Sequence, residues 1–592
     1  MQGLAICCDI RANDGRASKS RIALEREAFL SAGYGVARLP AGGNRRSRVI
    51  FDDIKIPKAA SRVGWLDPDH RISFTVVLAA KAPLPLIHAA GSGQSSSQAG
   101  HLTHAELRKK HGAVAGGAKL IETFAHSFKL EVTEMAEHRR CVRLSGRAAD
   151  VGRAFKTRFE EFELHGHRFF APEQPPSVPE KWAGMVETVL GLQNSPRAWP
   201  RRHSAVHGGE AKGRLHDLAR AYGFPPGLDG TGETIALIEF GGGFYPEDIQ
   251  QFCSRMGAAA PRITVVEVGS GANRPASRRE IHKFLDVIDG ELTVAAKTEQ
   301  SDPFVAAQCT AEVTMDLEIL AALAPGAHIV AYFASTDEQG LYHAVGRAVH
   351  DEQHKPGIVS MSWSIPEPTL PDSELHAIEG LLHEAAHLGM TVCVSSGDAG
   401  ALNGSEDGKP SVNYPASSAY CLGCGGTSGS LTGKGIHEEV VWNAMHFGAR
   451  GATGGGVSER ISLPAWQDDV RVPPSPGGKK GRGVPDVAGL ADPRYGCEML
   501  IADRTFASAG TSAVAPMWAA LIARLNQELG QRCGHLHPHL YRLGKERRAA
   551  LHPVLKGNNG LYHAGEGWDA CTGYGTPRGN DLLAHLKKLL HS

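Results

Sequence analysis

The chain lacks any apolar run near the roughly 18 residues that a membrane-spanning helix needs, which excludes a membrane-spanning role. Cysteine is sparse and odd in number, 11 in 592 residues, so no disulfide scaffold is implied. Cys421 and Cys424 form a C-x-x-C pair, but no second ligand pair at zinc spacing accompanies them, and structural thiols are the expectation. The first residues, MQGLAICCDIRANDGRASKSR, hold only a short apolar patch, less than the about 7–15 residues of a secretory signal. Either export takes another route, or the start lies upstream of the true one. Net charge is missing too, because 63 basic and 63 acidic residues cancel.

That cancellation hides a split. Residues 1–207 carry 31 basic against 20 acidic side chains, and residues 208–592 carry 32 against 43. No dense Lys/Arg run marks the basic part, so a nucleic-acid or membrane arm is no better a reading than an internal partner. With 42% hydrophobic and 21% charged residues, the chain reads as a soluble globular protein of two to four domains.

Residues 1–55 are basic and weakly patterned, an expected tail. Over 56–193 strand and helix patterns alternate: ISFTVVLAA as a strand, LTHAELRKKHG as a helix opened by a Thr103/Glu106 capping box, CVRLSG as a strand, AADVGRAFKTRF as a helix and HGHRFFAP as a hairpin return. That is a compact α+β domain. Residues 194–215 are rich in Pro, Gly, Arg and His, an exposed linker open to proteolysis. Beyond it, over 216–592, ETIALIEF, AHIVAYFA, GIVSMSWS and TVCVSSG are apolar runs that end in Gly- or Ser-rich loops, with helical stretches between. They predict an α/β domain whose parallel sheet is covered by helices on both faces, with ligands beyond the carboxyl ends of the strands.

Three segments carry chemistry. Ser508-Ala-Gly-Thr-Ser512-Ala-Val-Ala-Pro516 runs into an apolar helix, which puts Ser512 at a helix start where free N–H groups favour negative charge. A helix cap is the plain alternative. A nucleophilic serine needs a base, yet no His-Gly-Thr-His pattern exists in the C-terminal part, and His111-Gly112 stands alone in the basic domain. Carboxylates are better candidates. Glu312 and Asp316, four residues apart, share one face of a helix that is otherwise nearly all apolar, where two like charges raise one another's pKa. Asp398 sits on a Gly loop just after an apolar strand.

Taken together, Gly-Thr-Ser512 with Pro516, Glu312-x-x-x-Asp316 and Ser-Gly-Asp398 resemble the sedolisins, serine-carboxyl peptidases of subtilisin-like fold, and within them the kumamolisin branch. YGFPPGLDGTGETIALIEFGGGF, APGAHIVAYF, SMSW, YPASSAYCLGCGGTS and GWDACTGYGTPRG extend the likeness over nearly all of 215–580, and GWLDPDHRISFTVVL, LTHAEL and ETVLGL resemble the family's propeptide. The resemblance implies an acid-acting serine-type endopeptidase, made as a precursor and activated by removing an inhibitory propeptide at 56–193 through the linker. It assigns Ser512 as nucleophile, Glu312 as base, Asp316 as the residue orienting it, Asp398 as the protonated oxyanion partner, and Glu239 and Trp363 as an outer hydrogen-bond chain. It also implies a secreted, monomeric enzyme of protein or peptide substrates, with its own propeptide as inhibitor and neither nucleic acid nor membrane as partner. The alternatives are a subtilisin-like peptidase using histidine and a non-catalytic binding protein on the same fold.

The family's calcium site implies Asp569, Gly565, Gly567 and the Val554 carbonyl as ligands, but Pro553 stands where its first carboxylate is expected. Calcium and a metal-free loop are both left open. The stretch 273–307 is longer than the family pattern, and EIHKFLDVI within it reads as a short amphipathic helix, decoration rather than a flap. The charge split then becomes a pH-sensitive latch: a basic propeptide holds an acidic enzyme near neutral pH and lets go in acid, with salt loosening it.

Overall fold

The computed structural model describes residues 47–49, 54–57, 59–87, 101–164, 167–195, 213–288, 302–336, 339–403, 408–432, 435–445, 451–545 and 550–590. Most of the expected tail, most of the 194–215 linker and residues 289–301 of the long stretch lie outside the described residues. The first domain starts earlier than residue 56: Ser47–Val49 pairs antiparallel with Ser177–Pro179, and Lys55 hydrogen-bonds Gln193 and Ser195. A three-residue strand is too short to show a period, which is why this piece reads as tail.

Strands β1 (Ser61–Trp65), β2 (Arg71–Leu78), β3 (Glu131–Ala136), β4 (Cys141–Arg147), β5 (Phe159–Leu164), β6 (His167–Pro172) and β7 (Val186–Leu190) build the first domain with helices α1 (His104–His111), α2 (Gly117–Ser127) and α3 (Ala148–Phe155). One antiparallel sheet runs β3-β4-β2-β7 and a second β1-β5-β6. The capping box closes α1: Glu106 N–H donates to Thr103 Oγ1 at 3.2 Å, and Thr103 N–H donates to Glu106 Oε2 at 2.9 Å. Helix α3 stops at Phe155, before the predicted run ends, because Lys156 turns to a φ of +54°.

Strand β2 is buried on both faces from Phe74 to Leu78. Ile72, Phe74, Val76 and Leu78 pack with Phe155 and Trp182 in the domain's own core. Val77, on the opposite face, joins Leu107, Cys141 and Leu190 in a cluster completed by Val345, Leu381 and Leu382 of the second domain. Alternation puts successive side chains on opposite faces of a strand, so burial of consecutive residues here means a sheet sandwiched between its own helices and its neighbour.

In the second domain, strands β8 (Thr234–Phe240), β9 (Ile263–Val268), β10 (His328–Ala334), β11 (Ile358–Met361), β12 (Thr391–Ser395), β13 (Cys421–Thr432), β14 (Gly435–Val441) and β15 (Val487–Leu490) form one sheet. Its order is β9-β10-β8-β11-β12-β13-β14, with β15 also on β13; only the β13–β14 pairing is antiparallel. The helices that matter for the site are α4 (Arg278–Ile288), α5 (Asp302–Leu323), α6 (Gly340–Val349), α7 (Asp372–His387) and α8 (Val514–Leu529). Four others among the described residues, Leu215–Ala221, Pro246–Arg255, His537–Lys545 and Gly579–Leu590, pack around them. Along β8, Ile235 and Leu237 pack with α4, α5 and α8, while Ala236, Ile238 and Phe240 pack with α6 and α7. This is the expected α/β class with both faces covered. Helix α4 is part of that core rather than decoration: Ile281, Phe284 and Leu285 are buried, and the Phe284 ring meets Phe304 of α5 edge-on at 5.1 Å.

A fully buried ion pair locks the sheet's far end. Arg482 and Asp486 lie 2.5 Å apart with neither side chain exposed, and Asp486 also accepts from Gly423 N–H and Tyr541 O–H. Burial opposes the charge, but Arg482, His537 and Tyr541 outweigh it and hold Asp486 down to about 2. Asp486→Ala leaves the guanidinium buried and unpaired, and thermal or urea unfolding is expected to show a loss of about 3–5 kcal/mol.

Candidate active site

Helix α5 carries three carboxyls into the core, Glu312, Asp316 and Glu318, because beyond Thr310 its other residues leave no solvated face. Glu318 is taken up by Leu500 N–H, which donates to its Oε2 at 2.8 Å. Val313, Met315, Leu317, Ile319 and Leu320 are all buried, and a four-residue step puts Glu312 and Asp316 on one side. Asp316 is fully buried, and the Glu312 carboxyl faces the Ser512 side chain, whose hydroxyl favours its charged form. Ser512 precedes α8 in a turn that follows Gly510, whose φ is +76°. Trp518, one turn into α8, donates its indole N–H to the Ala488 carbonyl of β15 at 3.0 Å and pins the helix start to the sheet.

Two more carboxyls approach from the strand ends. Glu239, at the end of β8, is fully buried and accepts the Trp363 indole N–H at 2.7 Å. Burial raises Glu239 well above the carboxylate range against that bond, and Glu312 raises it further. Burial, Glu239 and Glu312 raise Asp316 likewise, and burial with Asp398 nearby raises Glu312 to about 8. Glu239 Oε1 and Asp316 Oδ1 have no hydrogen-bond donor among the described residues. Three carboxyls that repel one another out of water keep extra protons, so the cluster holds less charge than its number of groups.

Asp398 follows β12 on a turn whose Gly397 has a φ of +104°. A Cβ on Gly397 would stand 2.4 Å from Asn413 Nδ2 and 2.5 Å from Asn403 Oδ1, so only glycine fits there. Thr511 fixes the carboxyl: its N–H and its Oγ1–H both donate to Asp398 Oδ1, at 2.8 and 2.7 Å, while its Oγ1 accepts from Gly397 N–H at 3.1 Å. Two donors on one oxygen favour the proton on the other. Thus Ser512, Glu312, Asp316 and Asp398 come together, with Glu239 and Trp363 directly behind them. Thr511 and Ser362 were not singled out from the sequence, although Thr511 is the middle of Gly-Thr-Ser and Ser362 adjoins Trp363.

Residues 58–195 match the family model "Pro-kumamolisin, activation domain", and residues 293–542 match "Subtilase family". The chain is similar to kumamolisin of Bacillus sp. (strain MN-32), 37% identical over 551 residues that cover 90% of this chain and 94% of that protein. The chain belongs to the sedolisin family. The chain is also similar to sedolisin of Pseudomonas sp. (strain 101), at 29% identity over 76% of this chain and 75% of that protein. The solved Pseudomonas sedolisin, complexed with two molecules of pseudo-iodotyrostatin, superposes with a TM-score of 0.54 and 26% identity over 64% of this chain and 99% of that one. The protein is accordingly a serine-carboxyl peptidase, made with an activation propeptide ahead of its peptidase domain.

The loop expected to hold calcium is built differently from a metal cage. Asp569 Oδ1 accepts from Cys571 N–H and Thr572 N–H at 2.9 and 2.8 Å, and Oδ2 accepts from Gly565 N–H at 3.3 Å. Burial, only partly offset by those donors, raises the group to about 6. No cluster of three or more His, Cys, Asp or Glu suited to a metal occurs among the described residues. Calcium takes six to eight oxygens with carboxylates among them. With Pro553 in place of an acid and both Asp569 oxygens held by N–H groups, the residues present do not fit it.

Proposed function

We propose that Ser512 is the nucleophile, Glu312 the base that takes its proton, Asp316 the group that orients Glu312, and Asp398 the acid that binds the oxyanion. The observation that carries this reading is the Glu312 carboxyl on the Ser512 side chain, where a histidine-using enzyme needs an imidazole. As Ser512 Oγ bonds to the scissile carbonyl carbon, its proton passes to Glu312 and the C=O pair moves onto oxygen. The proton on Asp398 is then shared with that oxyanion. Collapse breaks the C–N bond, the leaving amine takes the proton from Glu312, and a water repeats the sequence on the acyl-enzyme. Glu239 and Trp363 act behind Glu312 and Asp316, keeping the cluster's remaining protons in place.

Acid is the working condition that suits both needs. Asp398 must be protonated to donate, and the cluster must hold one negative charge for the base. The first proton leaves a set of like groups most easily and each later one less so, so one charge persists in acid. The Asp569 loop closes on its own donors in this reading, and no step runs through a metal. Monomeric action outside the cell belongs to the same proposal and rests on the family resemblance; no helix of the described residues is long and apolar enough to cross a membrane.

Acidifying the full-length protein is expected to cut it within 194–215 and expose a new N-terminus, while Ser512→Ala stays intact. Equal processing of Ser512→Ala refutes self-cleavage. Activity of the processed enzyme that disappears below about pH 6 would replace the carboxylate base with histidine.

A further inference from the structure

Ser362 lies one residue beyond β11, buried, beside Trp363. Its Oγ stands 2.6 Å from Asp316 Oδ2 and 3.0 Å from the backbone carbonyl oxygen of Ser512. Ser395 of β12 donates to the Ser362 carbonyl at 2.8 Å, so the residue's own backbone is held from the neighbouring strand. A serine hydroxyl has one proton and two lone pairs, and a carbonyl oxygen can only accept. With Asp316 ionised, the single proton goes to the carboxylate and the Ser512 carbonyl loses its donor. With Asp316 protonated on Oδ2, the acid donates to Ser362, and Ser362 donates to Ser512.

We propose that Ser362 is a positioning residue for catalysis: its hydroxyl is the switchable link between the Asp316 carboxyl and the backbone of the nucleophile. Among the described residues it is the one donor that reaches the Asp316 carboxyl. The groups that face Asp316 are Glu239 of β8, Glu312 of its own helix and Ser362, and only the last favours its charge. Removing the hydroxyl therefore makes the whole cluster harder to ionise. The inference rests on the carboxyl cluster serving as the base of Ser512.

Ser362→Ala is expected to move the acid limb of kcat upward by about one to two pH units, the worth of one hydrogen bond to a charged group. At its best pH kcat falls about tenfold to a hundredfold, and KM on a peptide substrate stays within about twofold. Ser362→Thr keeps the hydroxyl and restores both the limb and kcat. An unmoved acid limb in Ser362→Ala, or the same loss of kcat in Ser362→Thr, overturns the proposal. Should Ser362→Ala fail to fold, Ser362→Cys keeps the volume with a weak donor and must show an upward limb of intermediate size; an unmoved limb overturns the proposal there as well. Glu312→Gln separates the two levels: if it keeps activity, the carboxylate-base reading itself fails, whereas an inactive Glu312→Gln beside an unmoved Ser362→Ala limb sinks only the role of Ser362.

Discussion

Glu312→Gln is expected to lower kcat about ten-thousandfold while KM stays within about twofold, because it removes an interaction made only as the proton moves. The amide keeps the shape of the side chain but cannot accept the Ser512 proton. Ser512→Ala should cost at least as much, and the double variant should be no slower than the slower single one, since groups that act as a unit do not add. Hydrolysis of a fluorogenic peptide between roughly pH 3 and pH 7 reads all three variants. A Glu312→Gln enzyme within about tenfold of the parent would remove the carboxylate from the base's role. If the losses of the two single variants multiply in the double one, the two residues act independently and do not form a couple.

How much of this was legible in the sequence follows from how local each feature is. Glu312 and Asp316 were readable as a pair because a helix fixes the four-residue relation, and the apolar residues around them announce burial. Ser512 was readable from a turn leading into an apolar helix. The convergence of α5, α8 and the ends of β8 and β12 was not, because it depends on strand order: β8 pairs with both β10 and β11, although β9 follows it in the chain. Only the family resemblance tied those segments together beforehand. Ser362 and Thr511 stayed hidden for a different reason. A hydroxyl in a strand end or turn is common, and its importance comes from atoms that lie 46 and 113 residues away in the chain. The fold class was the easier half, since near-continuous apolar strands can be buried only between two layers of helices. Helix α4 shows the limit: its amphipathic pattern was visible, but that its apolar face lies on the helix of Glu312 was not.

Between neutral pH and about pH 4.5 the propeptide is expected to lose roughly ten-thousandfold in affinity for the peptidase domain, and the groups responsible are imidazoles more than the opposed net charges of the two halves. The principal cross-domain ion pair, Arg140 of the propeptide with Glu384 of α7 at 3.0 Å, is buried on both sides. Burial works against Glu384, but Arg140 and His350 hold it down to about 2, so the pair persists at pH 4.5 and is little screened by salt. The interface histidines behave oppositely. His343 shares Thr75 Oγ1 of β2 with Gln339 at 2.9 Å, and since Thr75 gives its proton to Gln339, His343 Nε2–H is the donor. Burial, with Arg143 and Arg139 of the propeptide facing the ring, pushes His343 down to about 3. His383 and His387 both reach the Pro85 carbonyl, at 3.0 and 2.9 Å. Burial and its neighbours His387 and His111, against the opposing pull of the Pro85 bond and Glu384, push His383 down to about 4. A free histidine titrates near 6.5. A bound value below the free one means association is strongest above pH 6.5 and weakens tenfold per unit for each group, until the bound value is reached. Two such groups, two units below 6.5, give the four decades when release returns both rings to water. The check uses the Ser512→Ala precursor nicked in its linker by an added protease, with retention of the propeptide followed by gel filtration. The parent should hold it at neutral pH and shed it near pH 4.5, with little effect of salt. His343→Gln with His383→Gln keeps hydrogen-bonding groups that cannot charge, and should hold it at pH 4.5. Release of that double variant at the parent's pH would return the latch to the carboxylates, and a steep salt dependence at neutral pH would return it to the summed charge of the two halves.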